Sequence, residues 1–424
     1  MNLKSNVFVG YYSSIIALFS AAAVTSDKII VYQDYFCDHV SIIMLIMALL
    51  IKVSKLIFGL EATKKAAKIS CFCVIINFTI LFFLLNTATP DNKDAQLYYH
   101  SYQEIYNFNK ITTVLFIGFL IIFLNVKTAS INSYLFLTTL YILTLIISFV
   151  INNFNEINLR DFYNYFIINI LCFMFFLVIL YGVNYIVKNY DLNLSALKTS
   201  VANISQAYLL MTLLAVMLLI NSHSICYKII SFHSFGLGAI AGSGVVFPVT
   251  FLLSDAVAEH YGYTASRTLI WSTLLAQLIF VFCVYIIYLA PYASTWQNQG
   301  YFVNLFSNFF PRQILAASIC VFFSFFIFTF LITVLKANLQ NKKFWYRTLI
   351  ANMVANAVLC CLSYFILYYG KYTMSFIIKI IMSTWVIKMI IACIGTFMLT
   401  IPLIYYLKLY DNKILFSKIN VLSK

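Results

Sequence analysis

Acidic residues are scarce in this chain, 13 Asp and Glu against 27 Lys and Arg in 424 residues, and charged residues of both signs make up only 9%. Soluble domains carry roughly 25% charge, so most of this chain cannot present a water-solvated surface. No polar stretch is long enough to form a separate water-soluble core, because apolar runs recur throughout. The ten cysteines include Cys71-x-Cys73 and the adjacent pair Cys360-Cys361, but no Cys-x-x-Cys, and none joins the five His at zinc-ligand spacing. Most sit inside apolar runs, where Cys packs as a small apolar residue. No metal or other cofactor is expected. A Walker A motif is also missing, as is any nucleophile–base spacing that would mark an intramembrane enzyme.

What is present is apolar side chain, 63% of the total, with 18% aromatic. The expected fold is an all-α integral membrane protein of about twelve transmembrane helices, at the roughly 20 residues each that a bilayer requires. Apolar runs place spans near residues 6–24, 38–58, 69–87, 111–127, 134–151 and 163–187, then a polar connection over 188–202. Further spans fall near 206–225, 236–254, 266–290, 312–335, 348–368 and 381–407. The first 25 residues resemble a signal peptide in composition, but Lys28 in the following loop and the many later spans favour an uncleaved first span.

Two six-helix halves, 1–200 and 201–424, are suggested by short recurrences. Lys28-Ile-Ile and Lys228-Ile-Ile follow the first spans, and Lys188-Asn-Tyr-Asp191 and Lys408-Leu-Tyr-Asp411 close the sixth. The halves would form a pseudo-dimer, or the chain an oligomer. The positive charge belongs to short loops beside spans and points to no nucleic acid. Its bias, marked by Lys52, Lys55, Lys64, Lys65 and Lys68 in one connection and Lys336, Lys342, Lys343 and Arg347 in another, puts both termini in the cytoplasm of a multi-pass inner-membrane protein.

The polar residues of interest gather where the run Val245–Leu253 ends, in FPVTFLLSDAVAEHYGYTASRTLIW. Asp255 and Glu259 stand four apart, so a helix presents both carboxylates on one face with Ser254 beside them. Read from the residues alone, this is either a solvated helix end with Arg267 as counter-charge or a substrate site. Lys388 lies among apolar neighbours inside the last span; it either snorkels to the interface or is a paired intramembrane charge. Asn221 is polar at membrane depth.

The pattern Phe247, Pro248, Ser254, Asp255, Glu259, Tyr261, Gly262, Arg267, Trp271 resembles the signature of the queuosine precursor transporter family, also called the vitamin-uptake-like family. The resemblance covers about half the chain, from near Ser205 onward. It implies a transporter, not an enzyme, that imports a 7-deazaguanine-type queuosine precursor across the inner membrane. It also implies that Lys388 and Asn221 match family positions. Asp255 and Glu259 would accept hydrogen bonds from a guanine-like N–H edge or bind an aminomethyl cation, while Lys388 balances their charge. Where the family tends to carry Ser-Gln followed by Asp on two helices, this chain has Ser324, Phe325 and Phe328 on one and Ala355, Asn356 and Leu359 on the other. Near Lys388, Gly395-Thr396 stands for Asp-Thr. Ser324 and Asn356 thus remain as orienting groups, and Trp271 and Trp385 are the aromatic candidates for stacking. Each lost partner would leave substrate polarity unpaired. That leaves open a carrier for another vitamin- or nucleobase-like molecule, or a non-transporting membrane subunit.

Overall fold

A computed structural model describes residues 3–25, 30–32, 35–37, 39–85, scattered positions between 167 and 185, 204–225, 229–231, 239–291, 312, 316–338, 344–370 and 372–409. The spans expected near 111–127 and 134–151, and most of that near 163–187, lie outside these residues.

The first helix, α1 (Leu3–Val24), is followed by a short antiparallel pair, β1 (Ile30–Tyr32) and β2 (Tyr35–Cys37), and then by α2 (His39–Phe58) and α3 (Leu60–Leu85). Gly59 joins α2 to α3 with φ 90°, a left-handed conformation that favours glycine. The same order returns as α4 (Gln206–Ser224), the pair β3 (Ile229–Ser231) and β4 (Ala239–Ala241), α5 (Ser243–Tyr261) and α6 (Tyr263–Leu289), with Gly262 at φ 86° between the last two. The second unit reproduces details of the first. Phe8 meets Phe58 edge-on with ring centroids 4.9 Å apart, and Tyr208 meets Tyr261 edge-on at 5.3 Å.

Three more helices follow. A π-helical turn, Ala316–Cys320, leads into α7 (Val321–Asn338); then come α8 (Phe344–Tyr368) and α9 (Met374–Gly395), which runs through a second π turn, Thr396–Thr400, as far as Leu409. Among the described residues six helices, α1, α4, α6, α7, α8 and α9, are long and apolar enough to cross a membrane. Apart from the two hairpins of three-residue strands, the described elements are helices, as expected. The span expected at 236–254 starts later, at Ser243, because β4 takes up the residues before it. The Asp255–Glu259 pair consequently lies within the last two turns of α5 and not beyond its end.

Packing follows from small residues and buried apolar faces. The Ala21–Ala23 run on α1 is buried, and α1 crosses both α4 and α6, while α4 packs against α3 and α5. In lipid, where the hydrophobic effect does not separate helix from surroundings, such small residues let backbones approach and gain dispersion contacts. Two glycines set the α5–α9 seam. A Cβ on Gly244 would collide with Thr384, and one on Gly395 would collide with Leu252. At both places a side chain of the facing helix fills the space that a Cβ would need.

Most of the described helix ends that carry cations meet at one end of the molecule; Lys379, near the start of α9, lies at the other. At the first end the α2–α3 and α5–α6 turns stand with the starts of α1, α4 and α8 and the ends of α7 and α9. The hairpins occupy the opposite end.

Candidate functional site

At the basic end, α5 places Asp255 and Glu259 against α7 and α8. Glu259 receives Lys336 Nζ at 3.2 Å and Arg347 Nη2 at 3.4 Å. Arg347 is only 1% exposed, and its Nε and Nη1 have no hydrogen-bond partner. Asp255, one turn earlier, is fully buried with the Thr348 hydroxyl beside it, yet neither carboxylate oxygen has a formed hydrogen bond. Glu259 thus takes both cations, and Asp255 remains a buried acceptor without a donor. Such a group is costly unless something supplies the donor. Ser254 turns to Ser266, 3.4 Å away between hydroxyl oxygens. Arg267 does not serve as counter-charge to the acids; it is exposed on α6 and lies over the Tyr263 ring at 6.0 Å.

Lys388 stands elsewhere. It is 1% exposed on α9, with its ammonium 5.0 Å from the Phe247 ring centre and 5.5 Å from that of Tyr364, and the Cys360 thiol nearby. Phe247 precedes Asp255 by two turns of α5, about 12 Å of rise at 1.5 Å per residue. The expected pairing of Lys388 with the acids is therefore not formed in this conformation. Lys388 instead lines a cavity of about 40 Å³ toward the hairpin end, with Ser222, His223, Ser243, Phe247, Ser363 and Tyr364. The hydroxyls of Ser243 and Tyr364 are 3.1 Å apart across it. That volume suits a few water molecules, so a bicyclic ring enters only if the helices around it separate.

A buried strip of α8 connects the two places. Thr348, Asn352, Asn356, Cys360 and Tyr364 recur every fourth residue and are all buried, so each adjoins the next while the row winds about 160° around the helix over its length. From Thr348 beside Asp255 to Tyr364 beside Lys388, the row covers about 24 Å. Asn356 donates from Nδ2 to the Asn352 carbonyl at 3.0 Å and leaves its Oδ1 without a partner. This amide, expected as an orienting group, stands midway between the acids and the lysine.

The other expected residues are dispersed. Ser324 is buried but donates to the Cys320 carbonyl of its own helix at 2.6 Å. Asn221 is buried on α4 with its Nδ2 unpartnered. Trp271 is half exposed on α6 against Phe322 and Phe326, and Trp385 donates to the Met353 carbonyl at 3.3 Å. Neither tryptophan lines the Lys388 cavity. Phe325, Phe328, Ala355 and Leu359, which stand where the resemblance calls for amides or acids, pack with Phe247 and Phe251 into one buried cluster.

Sequence reading passed over Arg347, Lys336 and Thr348 as partners of the acids, and Ser243, His223 and Tyr364 around the lysine. Arg347 and Lys336 served there only as loop markers of topology. The fourfold spacing on α8 was the available signal for the row.

Residues 241–405 match the model of the family described as "Putative vitamin uptake transporter". The match takes in α5 to α9, and with them the acids, the polar row and Lys388; it agrees with the resemblance read on Phe247–Trp271. No curated protein and no solved structure matches the chain.

Proposed function

We propose that this protein is a membrane transporter that imports a planar heterocycle of the 7-deazaguanine type, a queuosine precursor, across the inner membrane. The observation that carries the reading is the buried polar row on α8, which joins a cavity near the hairpin end to acids near the basic end. In a membrane-embedded core, intramembrane polar groups are costly and mark substrate paths.

In this reading the hairpin end faces outward and the basic end inward, since Lys52, Lys55, Lys64, Lys65, Lys68, Arg267, Lys336 and Arg347 lie at the latter. Substrate enters at the cavity, where the Lys388 ammonium and the hydroxyls of Ser222, Ser243 and Tyr364 serve ring acceptors and donors, and Phe247 and Tyr364 offer ring faces. A cationic aminomethyl group is disfavoured beside Lys388. The Glu259–Arg347–Lys336 cluster closes the inner end. As the helices rock, Asn356 and then Asp255, whose acceptors are unpaired here, receive the N–H edge. The α1–α3 and α4–α6 units, with their matching glycine turns and ring pairs, support the reading of the chain as two halves in a pseudo-dimer.

Feeding a precursor to a host that lacks both precursor synthesis and its own importer tests the substrate. Expression of this protein should restore queuosine in tRNA, and tRNA without queuosine despite intact membrane levels would rule the substrate out. One observation favours a second reading, a carrier for a less polar, vitamin-like molecule. The Phe325–Phe328–Leu359 cluster is apolar where the resemblance expects hydrogen-bonding groups. Uptake of such a molecule without queuosine rescue would select it.

A further inference from the structure

The two repeated helix units build two equivalent grooves at the basic end. One, of about 460 Å³, lies between α1 and α6 and is lined by Asn6, Thr264, Arg267, Thr268 and Trp271. The other, of about 540 Å³, lies between α4 and α3 and is lined by Gln206, Glu61, Lys64, Lys65 and Lys68. Counted from the turn glycines Gly59 and Gly262, Lys64, Lys65 and Lys68 occupy the positions of Arg267, Thr268 and Trp271. The same backbone niche thus occurs twice, and in one copy three lysines furnish it.

The first groove is bridged, because the Thr268 hydroxyl donates to Asn6 Oδ1 across it at 2.9 Å. In the second, Glu61 pairs with Lys64 at 3.2 Å, whereas Lys65 and Lys68 are exposed and have no acidic partner among the described residues. Lys55 on α2 adds a further positive charge near Lys64. Below the lysines the lining turns apolar at Ile69 and Leu210. The same face of α3 continues into Phe72 and Ile75, 51% and 54% exposed, at helical spacing from Lys68.

We propose that the α3–α4 groove binds the headgroup phosphate of an anionic phospholipid. Lys65 and Lys68 would hold the phosphate oxygens, and the exposed Phe72–Ile75 stripe would carry an acyl chain. Basic pockets between membrane helices suit anionic headgroups. A free phosphate would use the lysines equally well but gain nothing from the apolar stripe, and that difference favours the lipid.

The test uses the full-length protein in detergent, with binding read by native mass spectrometry and by thermal stabilisation. Dioleoyl phosphatidylglycerol, dioleoyl phosphatidylcholine and inorganic phosphate are compared at matched concentration. Phosphatidylglycerol should bind and stabilise well beyond the other two. Lys65→Gln/Lys68→Gln should weaken its binding by about 30-fold, at about 1 kcal/mol for each lysine near the surface. Lys379→Gln, at the opposite end, should leave it unchanged. Both lysines are exposed, so the double variant should keep its elution profile. Equal binding of phosphatidylglycerol by wild type and double variant would overturn the proposal, as would stabilisation by inorganic phosphate equal to that by the lipid.

Discussion

Two buried cations in this protein behave in opposite ways. Arg347 is tied to Glu259, so Glu259→Gln strands a buried guanidinium and should lower stability by about 3–5 kcal/mol, the usual cost of breaking a buried pair. Among the described residues Lys388 has rings, a thiol, hydroxyls and His223 around it but no paired carboxylate. Lys388→Met should therefore leave the melting temperature unchanged or raised while uptake is lost. A melting transition that falls sharply in Lys388→Met would show that the ammonium has a structural acidic partner after all. The same distinction appears in double-mutant cycles. Asp255→Asn and Lys388→Met should add within about 0.5 kcal/mol in stability, as separated sites do, whereas Glu259→Gln and Arg347→Met should be coupled by about 0.5–3 kcal/mol.

At the scale of helices, the α5–α9 seam depends on two glycines. Gly395→Val would drive a side chain into Leu252, and Gly244→Val would do the same to Thr384. Overpacking of this kind costs about 1–3 kcal/mol, and because the seam carries Phe247 on one helix and Lys388 on the other, it also displaces the cavity wall. Each variant should melt earlier and show reduced uptake, measured by thermal shift and by transport in the same preparation. Shortening the facing side chain tests the cause: Leu252→Ala should restore part of the stability of Gly395→Val. No recovery would mean that the valine acts through helix propensity and not through the contact.

For the whole molecule, the uneven division of labour is the main feature. Every residue of the acid cluster, the polar row and the cavity comes from 201–424, yet α4 and α6 bury one side each against α1, and α4 also packs on α3. Expressed alone, residues 201–424 should hold ligand only weakly, and co-expression with 1–200 should raise both ligand-induced thermal stabilisation and uptake. Binding by 1–200 alone would reverse the assignment. Orientation is checked separately by reporter fusions. Those after Lys68, Lys198 and Lys343 should read cytoplasmic and those near Lys93 and Asn298 external, and reversal at both Lys68 and Lys343 would overturn the topology.

Composition and pattern sufficed for the membrane class and for most of the described helices to within a few residues, and they singled out Asp255, Glu259 and Lys388 as candidates, because hydropathy and four-residue spacing are local properties that a bilayer enforces strongly. Helix starts were less legible. The residues before Ser243 are apolar enough to join a span, and only the pairing of Ile229–Ser231 with Ala239–Ala241 turns them into a hairpin. Partner choice was not legible at all. Whether Glu259 meets Arg267, eight residues away in sequence, or Arg347 on another helix depends on how α5 rotates against α6 and α8. That rotation is decided by packing across the seam, at Gly244, Gly395 and the Phe247–Phe325 cluster. Tertiary packing therefore separated two charges that sequence had joined and placed a row of polar side chains between them.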